Sequence, residues 1–214
     1  MKVDLAFSIL CTHPLPADHG YLLYSAVSRV LPEAHQTDSY GIHPIRGRQL
    51  GGRTLQLTEY SRLVIRTDAE QISRFLPLAG KQLRLLDRTL RIGVPQVRAI
   101  VPAPALRSRL VTIKLPDAVA QPADAAAQAF RDATLRQLAE LGISTDAGLS
   151  VGKRRTLRIK DKEVVGYEVL IDGLTAEESI TVQERGLGGR RHMGCGVFAP
   201  ADSTMDASCS HPNS

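Results

Sequence analysis

Hydrophobic residues along this chain follow two periods, and the switches between them mark its elements. In "VDLAFSIL" (3–10), Val3, Leu5, Phe7 and Ile9 are spaced by two, which predicts a half-buried strand. Leu22, Leu23, Ala26, Val27, Val30 and Leu31 then recur at the spacing of an amphipathic helix. Asp18 stands at the expected N-cap, and Pro32 ends the helix because the residue before a proline avoids the helical region. "RTLQLTEYSRLVIRT" (53–67) reads as two alternating strands around a polar turn. Asp68 and Gln71 form a capping-box pattern ahead of a short helix carrying Ile72, Phe75 and Leu76, and 81–101 gives further strand.

After a linker, "VPAPAL" (101–106), the pattern restarts. "RLVTIKL" (109–115) is a strand, and 124–141 is a helix with Phe130, Leu138 and Leu141 inward and Gly142 as its stop. Residues 155–174 form a hairpin, Thr175 and Glu178 a capping box for "AEESITVQER", and "CGVFAP" a last strand. Each half reads βαββαβ without a residue-level repeat. The fold class is α+β, two tandem ferredoxin-like (RRM-like) folds over 1–101 and 107–200, followed by a disordered polar tail, 201–214.

Hydrophobic residues make up 43% of the 214, but aromatics only 4% with no Trp, so the cores must be aliphatic. The net charge of +5, mostly from arginine, favours phosphate-bearing partners. The tail holds Asp202 and Asp206 and no Lys or Arg, which leaves the rest more basic still. Cys11, Cys195 and Cys209 are odd in number and show no CxxC spacing, which points away from a disulfide scaffold or Cys-rich zinc site. Asp4 interrupts the N-terminal apolar run and no stretch has the length of a membrane span, so a cytoplasmic protein without a membrane partner is expected.

The stretch "GLGGRRHMGCGVF" (186–198) holds two Gly-x-Gly pairs, Gly186/Gly188 and Gly194/Gly196, around Arg190, Arg191 and His192. It is not a dinucleotide fingerprint, because Arg191 stands where the third glycine belongs and the loop comes last in the chain. It is not a Walker loop, since no Gly-Lys-Ser/Thr ends it, and "SVGKRR" (150–155) fails the same test. What remains is a backbone expected to approach phosphate closely with its N–H groups, beside charge-assisted contacts from Arg190 and Arg191.

This loop resembles the signature glycine-rich loop of the RAMP superfamily of CRISPR systems, and within it the chain is similar to the Cas6 family. The resemblance covers residue 1 to about 200. It implies a metal-independent endoribonuclease, without cofactor, that cuts CRISPR repeat transcripts (pre-crRNA) into guide RNAs. It also implies a catalytic histidine after the first helix, assisted in some members by a tyrosine on that helix. The general-base role then falls on His35, with Tyr24 supporting. The lysine that often follows in related enzymes is missing, so His43 or Arg46 would have to take that place. His43 remains a competitor for the principal acid/base role.

Cleavage by the ribose 2′-OH needs a base and an acid near neutral pH, which suits histidine. Of the six, His13 and His211 read as solvated, His19 as structural and His192 as an RNA contact. Lys153, Arg154, Arg155 and Arg158 lie at or near a hairpin, where a phosphate track for an RNA stem and a merely solvated charged hairpin are equally open. Arg107 and Arg109 are weaker candidates. No RNP-type aromatics occur, so base stacking on the sheets is not expected. Two rivals stay open: a RAMP-fold subunit that binds guide RNA in an effector complex without cutting it, and a ferredoxin-like protein holding a phosphorylated metabolite. Expected partners are CRISPR repeat RNA and, as an open class, other effector-complex subunits.

Overall fold

Strand β1 (Lys2–Leu10) lies at the centre of the first half, covered on both faces. Leu5 and Phe7 enter one core, while Asp4 and Ala6 face the second half of the molecule. The structure, a computed structural model, describes residues 1–33, 39–115, 123–143 and 148–201. After β1 come β2 (Leu15–Pro16), α1 (Gly20–Val30), β3 (Gly41–Ile42), β4 (Arg48–Gln49), β5 (Thr54–Gln56), β6 (Arg62–Asp68), α2 (Ile72–Phe75), β7 (Gln82–Leu85) and β8 (Arg88–Ala99). The antiparallel order β3-β6-β1-β8-β7 is ferredoxin-like, with β7 added at one edge. Leu23, Ala26 and Val27 of α1 and Phe75 of α2 close one face over Leu5, Phe7, Leu63 and Ile65.

The second half repeats the winding with β9 (Leu106–Val111), α3 (Ala123–Glu140), β10 (Gly148–Ile159), β11 (Lys162–Asp172), α4 (Ala176–Arg185) and β12 (Ala199–Pro200). Its order is β10-β11-β9-β12, and Phe130, Leu138 and Val182 pack on Leu106, Val169, Ile171 and Phe198. The two tandem ferredoxin-like folds are therefore present. The Thr175–Glu178 capping box forms as expected, with Thr175 Oγ1 accepting the Glu178 N–H at 3.3 Å and Glu178 Oε2 accepting the Thr175 N–H at 2.9 Å. Among the described residues no helix is long and apolar enough to cross a membrane. The tail expected to be disordered lies, beyond Ala201, outside the described residues.

Several local expectations are corrected. Asp18 does not cap α1; its Oδ2 accepts the Arg158 backbone N–H at 3.0 Å, a contact between the two halves. Asp68 makes no side-chain cap bond, because its segment opens as a single 3₁₀ turn whose Ala69 N–H donates to the Met1 carbonyl. Leu76 is 44% exposed, and Leu78 fills the core in its place. Strand β5 leaves the main sheet for a small one, β2-β5-β4. The vacated edge is taken by β3, whose two residues pair with Arg66 and Ile65 and are too few to show a period. Residues 112–115 are not strand, "SVGKRR" lies within β10, and of "CGVFAP" only Ala199 and Pro200 pair with β9.

Two buried polar side chains tie these elements together. Arg66 of β6 grips Asp4 of β1 bidentately, Nε to Oδ1 and Nη2 to Oδ2, both at 2.8 Å. Its Nη1 donates across the divide to the carbonyls of Gln183 at 2.9 Å and Phe198 at 2.7 Å. Burial by itself would raise the Asp4 carboxyl, but the His43 and Arg66 side chains beside it outweigh that and hold it well below the usual carboxylate range. His19, 2% exposed, is structural: Nε2 accepts the Ile45 N–H at 2.9 Å, which fixes Nδ1 as the donor to the Pro16 carbonyl at 2.9 Å. Burial depresses its pKa, so the fold holds the neutral ring.

Arg66→Met strands the Asp4 carboxylate and two carbonyls, and is expected to destabilise the protein by about 3–5 kcal/mol in urea denaturation. For His19, the depressed folded pKa means that below about pH 6.5 the unfolded chain binds a proton that the native state refuses. Its contribution is thus complete above that pH and declines as pH falls. His19→Gln should cost about 1–3 kcal/mol near neutrality and flatten the loss of stability on acidification, measured by thermal melts across pH.

Candidate functional site

The glycine-rich loop begins where Gly186 stops α4, donating its N–H to the Val182 carbonyl at 2.8 Å. Its two arms then lie against each other and against the end of β9. The Leu187 N–H donates to the Gly196 carbonyl at 3.2 Å, the Gly196 N–H to the Leu110 carbonyl at 2.7 Å, and the Gly189 N–H to the Thr112 carbonyl at 3.1 Å. The Gly188 N–H meets Gln137 Oε1 of α3 at 2.7 Å, and the Gly194 N–H closes a 3₁₀ turn, Arg191–Met193, on the Arg191 carbonyl at 3.0 Å. A Cβ on Gly196 would sit 1.8 Å from the Leu187 carbonyl oxygen, at a φ of +63° that already disfavours side chains. These glycines allow backbone to pack on backbone. The expected row of glycine N–H groups turned toward phosphate is therefore corrected: the N–H groups of all four bond within the fold.

What the loop turns outward is cationic. Arg190, in the left-handed conformation, is exposed, and Arg191 and His192 are half-buried beside it. Leu187 and Cys195, the residues inside the Gly-x-Gly pairs, are buried anchors, and burial pushes the Cys195 thiol up to about 12.

Helix α1 docks on this loop. Gly20 makes the approach possible, because a Cβ there would lie 2.3 Å from the Met193 carbonyl oxygen. Tyr21 packs with Met193, Leu157 and Cys195. One turn further along, the Tyr24 ring meets His192, with centroids 4.5 Å apart and planes tilted by 46°. Tyr40, ahead of β3, is 6.3 Å from the same imidazole and 5.2 Å from Phe75. His35 lies outside the described residues.

His43 and Arg46 lie elsewhere. Along β3 the faces alternate, so Ile42 enters the core with α1, while His43 points to the opposite face with Arg66. There His43 Nε2 is 3.6 Å from Asp4 Oδ1 and sealed from solvent. Burial lowers its pKa although Asp4 pulls the other way. Arg46, Arg62 and Arg98 line a cleft of about 430 Å³ there, between the first sheet and residues of α4 and β12. The three catalytic candidates among the described residues thus do not form one constellation: Tyr24 belongs to the loop side, and His43 and Arg46 to the cleft.

On the hairpin, Lys153, Arg154 and Arg158 are exposed. Arg155 instead shares Glu168 with Arg107, at 2.9 and 2.5 Å. Burial would raise that carboxyl, but the two guanidiniums hold it below its ordinary value. Arg155 and Arg107 therefore carry less spare charge toward a phosphate than their neighbours. Arg66 and Gly20 are missing from the sequence reading, and Asp4 enters it only as a break in an apolar run. The one signal for them was Asp4 itself, a charge inside an apolar strand.

The chain matches the family model described as Cas6 Crispr over residues 3–203. It is 42% identical over 198 residues to the CRISPR-associated endonuclease Cas6 of Myxococcus xanthus (strain DK1622), covering 92% of this chain and 81% of that protein. A solved structure of a CRISPR associated protein Cas6 superposes with a TM-score of 0.64 at 16% identity, over 94% of this chain and 98% of that one. The product of a Cas6-related gene from Pyrococcus furiosus gives 0.62 at 15% identity, over 95% and 100%. At such identities the two structures speak for the fold alone.

Gly196→Ala forces a methyl group into the Leu187 carbonyl and should destabilise the protein by roughly 2–4 kcal/mol. Gly189→Ala meets open space and should stay within about 0.5 kcal/mol of the parent. Parallel urea titrations of the two variants check this.

Proposed function

The chain belongs to the Cas6 family, and we propose that it is the endoribonuclease that cuts CRISPR repeat transcripts into guide RNAs in the cytoplasm, without a metal ion. The observation that carries this reading is the junction of α1 and the glycine loop, where Tyr24 meets a loop that presents Arg190 and Arg191. A scissile phosphate seated there has cations beside it and a phenol within reach. Those cations offset the charge that develops on the pentacoordinate phosphorus. The 2′-oxygen attacks the adjacent phosphate, its proton passes to a base, and the products are a 2′,3′-cyclic phosphate and a 5′-hydroxyl.

We assign the base to His35. His43 fits the role less well, since its Nε2 is sealed from solvent and it shares the far face of the first sheet with Arg66. Lys153, Arg154 and Arg158 serve as phosphate contacts along the RNA, because their charge is solvent-facing and not committed to Glu168 as Arg155 is.

His35→Ala is expected to slow cleavage of the cognate repeat RNA in EDTA by about 100-fold or more while RNA affinity persists. Product termini are read by phosphatase and kinase sensitivity. Unchanged cleavage by the variant would move the base to His43. Binding without product by the parent protein would make it a guide-RNA-holding subunit, and salt-independent RNA affinity would point to a small phosphorylated ligand instead.

A further inference from the structure

We propose that His192 is the general acid of the cut, giving its proton to the 5′-oxygen as the phosphodiester breaks. This rests on the nuclease reading above and adds a role for a residue that the sequence marks only as an RNA contact.

Position is the first ground. His192 sits on the 3₁₀ turn at the apex of the glycine loop, next to Arg191 and two residues from the exposed Arg190. The turn is held by the Met193 N–H on the Arg190 carbonyl at 2.9 Å and by the Gly194 N–H on the Arg191 carbonyl at 3.0 Å. The ring lies 4.5 Å from Tyr24 of α1 and 6.3 Å from Tyr40. Two aromatic neighbours, one on α1 and one in the segment ahead of β3, flank the ring, yet it is only half-buried. It is therefore an oriented imidazole that directly follows two arginines in the chain and is open enough for a phosphodiester to reach it.

The second ground is chemistry. An alkoxide leaving group needs a proton as the P–O bond breaks. Imidazolium suits that task, because its ordinary pKa lies closest to neutrality among side-chain acids. The other described histidines stand in settings unlike that of His192. Both ring nitrogens of His19 are used inside the fold, His43 has a sealed Nε2 facing Asp4, and the exposed His13 bonds Thr12 at 2.9 Å in a turn remote from the loop in sequence. Among the described histidines, His192 alone combines partial surface access with a phenol beside its ring and two arginines just before it in the chain.

The step balances. The O2′–P bond forms as the 2′-hydroxyl proton leaves to the general base. The P–O5′ bond breaks with its electron pair on O5′, and O5′ takes the proton of the His192 imidazolium. This leaves neutral imidazole, a 2′,3′-cyclic phosphate and a 5′-hydroxyl, and solvent returns the proton to His192. Tyr24 positions the ring and transfers nothing.

The test replaces the scissile 5′-oxygen of a synthetic cognate repeat RNA by sulfur, whose thiolate leaves without a proton. In single-turnover reactions at saturating protein, His192→Ala should cut the oxygen substrate about 100-fold or more slowly, with Kd unchanged, and the sulfur substrate at the parent rate. His192→Gln, which keeps polarity and bulk, should behave alike. The parent protein supplies a readout independent of any variant: its rate on the oxygen substrate should fall at high pH as the acid deprotonates, and that fall should vanish with sulfur. Equal defects on both substrates, a change confined to Kd, or a high-pH fall that persists with sulfur would overturn the proposal. A parent protein that cuts neither RNA removes the nuclease reading and the proposal together.

Discussion

The position of the glycine loop depends on one guanidinium. Arg66 stands on the face of the first sheet that meets the second half, its Nε and Nη2 committed to Asp4, and its Nη1 reaches two carbonyls of that half. Those carbonyls belong to Gln183 and Phe198, and the loop 186–198 runs between them. A single buried cation thus pins the chain on both sides of the loop to the central strands of the other half. Arginine suits this post because its planar fork satisfies a carboxylate and still has donors left over. The arrangement keeps a buried charge affordable, since each acceptor around it is matched.

With its ends pinned, the loop has little freedom left. Its glycines spend their N–H groups on the fold and bring backbone against backbone at Leu110, Thr112 and Leu187. Gly20 repeats the device from the first half, letting α1 touch the Met193 carbonyl. The result is a stiff ridge whose outward side is short, cationic and imidazole-bearing. What the ridge turns to solvent is therefore side chains, and the glycines act as the means of holding them.

Charge on the second sheet is sorted by the same rule of matched burial. Glu168 consumes Arg107 and Arg155, while Lys153, Arg154 and Arg158 keep their heads in solvent. Composition showed an arginine-rich excess without showing which arginines were already spent. The family resemblance held up, because a glycine loop closing a second βαββαβ unit is a long, ordered pattern that a linear reading can match.

Local rules carried much of the fold. The periods of β1, α1 and α3, the Pro32 stop and the Thr175–Glu178 box are short-range physics, visible within a few residues. They fail where a partner far along the chain competes for the same group, as when Asp18 turns to Arg158 and Asp68 leaves its helix uncapped. The site divides in the same way. Sequence alone determined the loop, its arginines, Tyr24 on the first helix and the set of six histidines. Tertiary structure decided which of them meet: it put His192 against Tyr24, sent His43 to the opposite face beside Asp4, and turned the glycine N–H groups inward. The physical reason is that a side chain's face and spare hydrogen-bonding capacity depend on strand register and on buried neighbours more than a hundred residues away, and Arg66 with Phe198 is the clearest case.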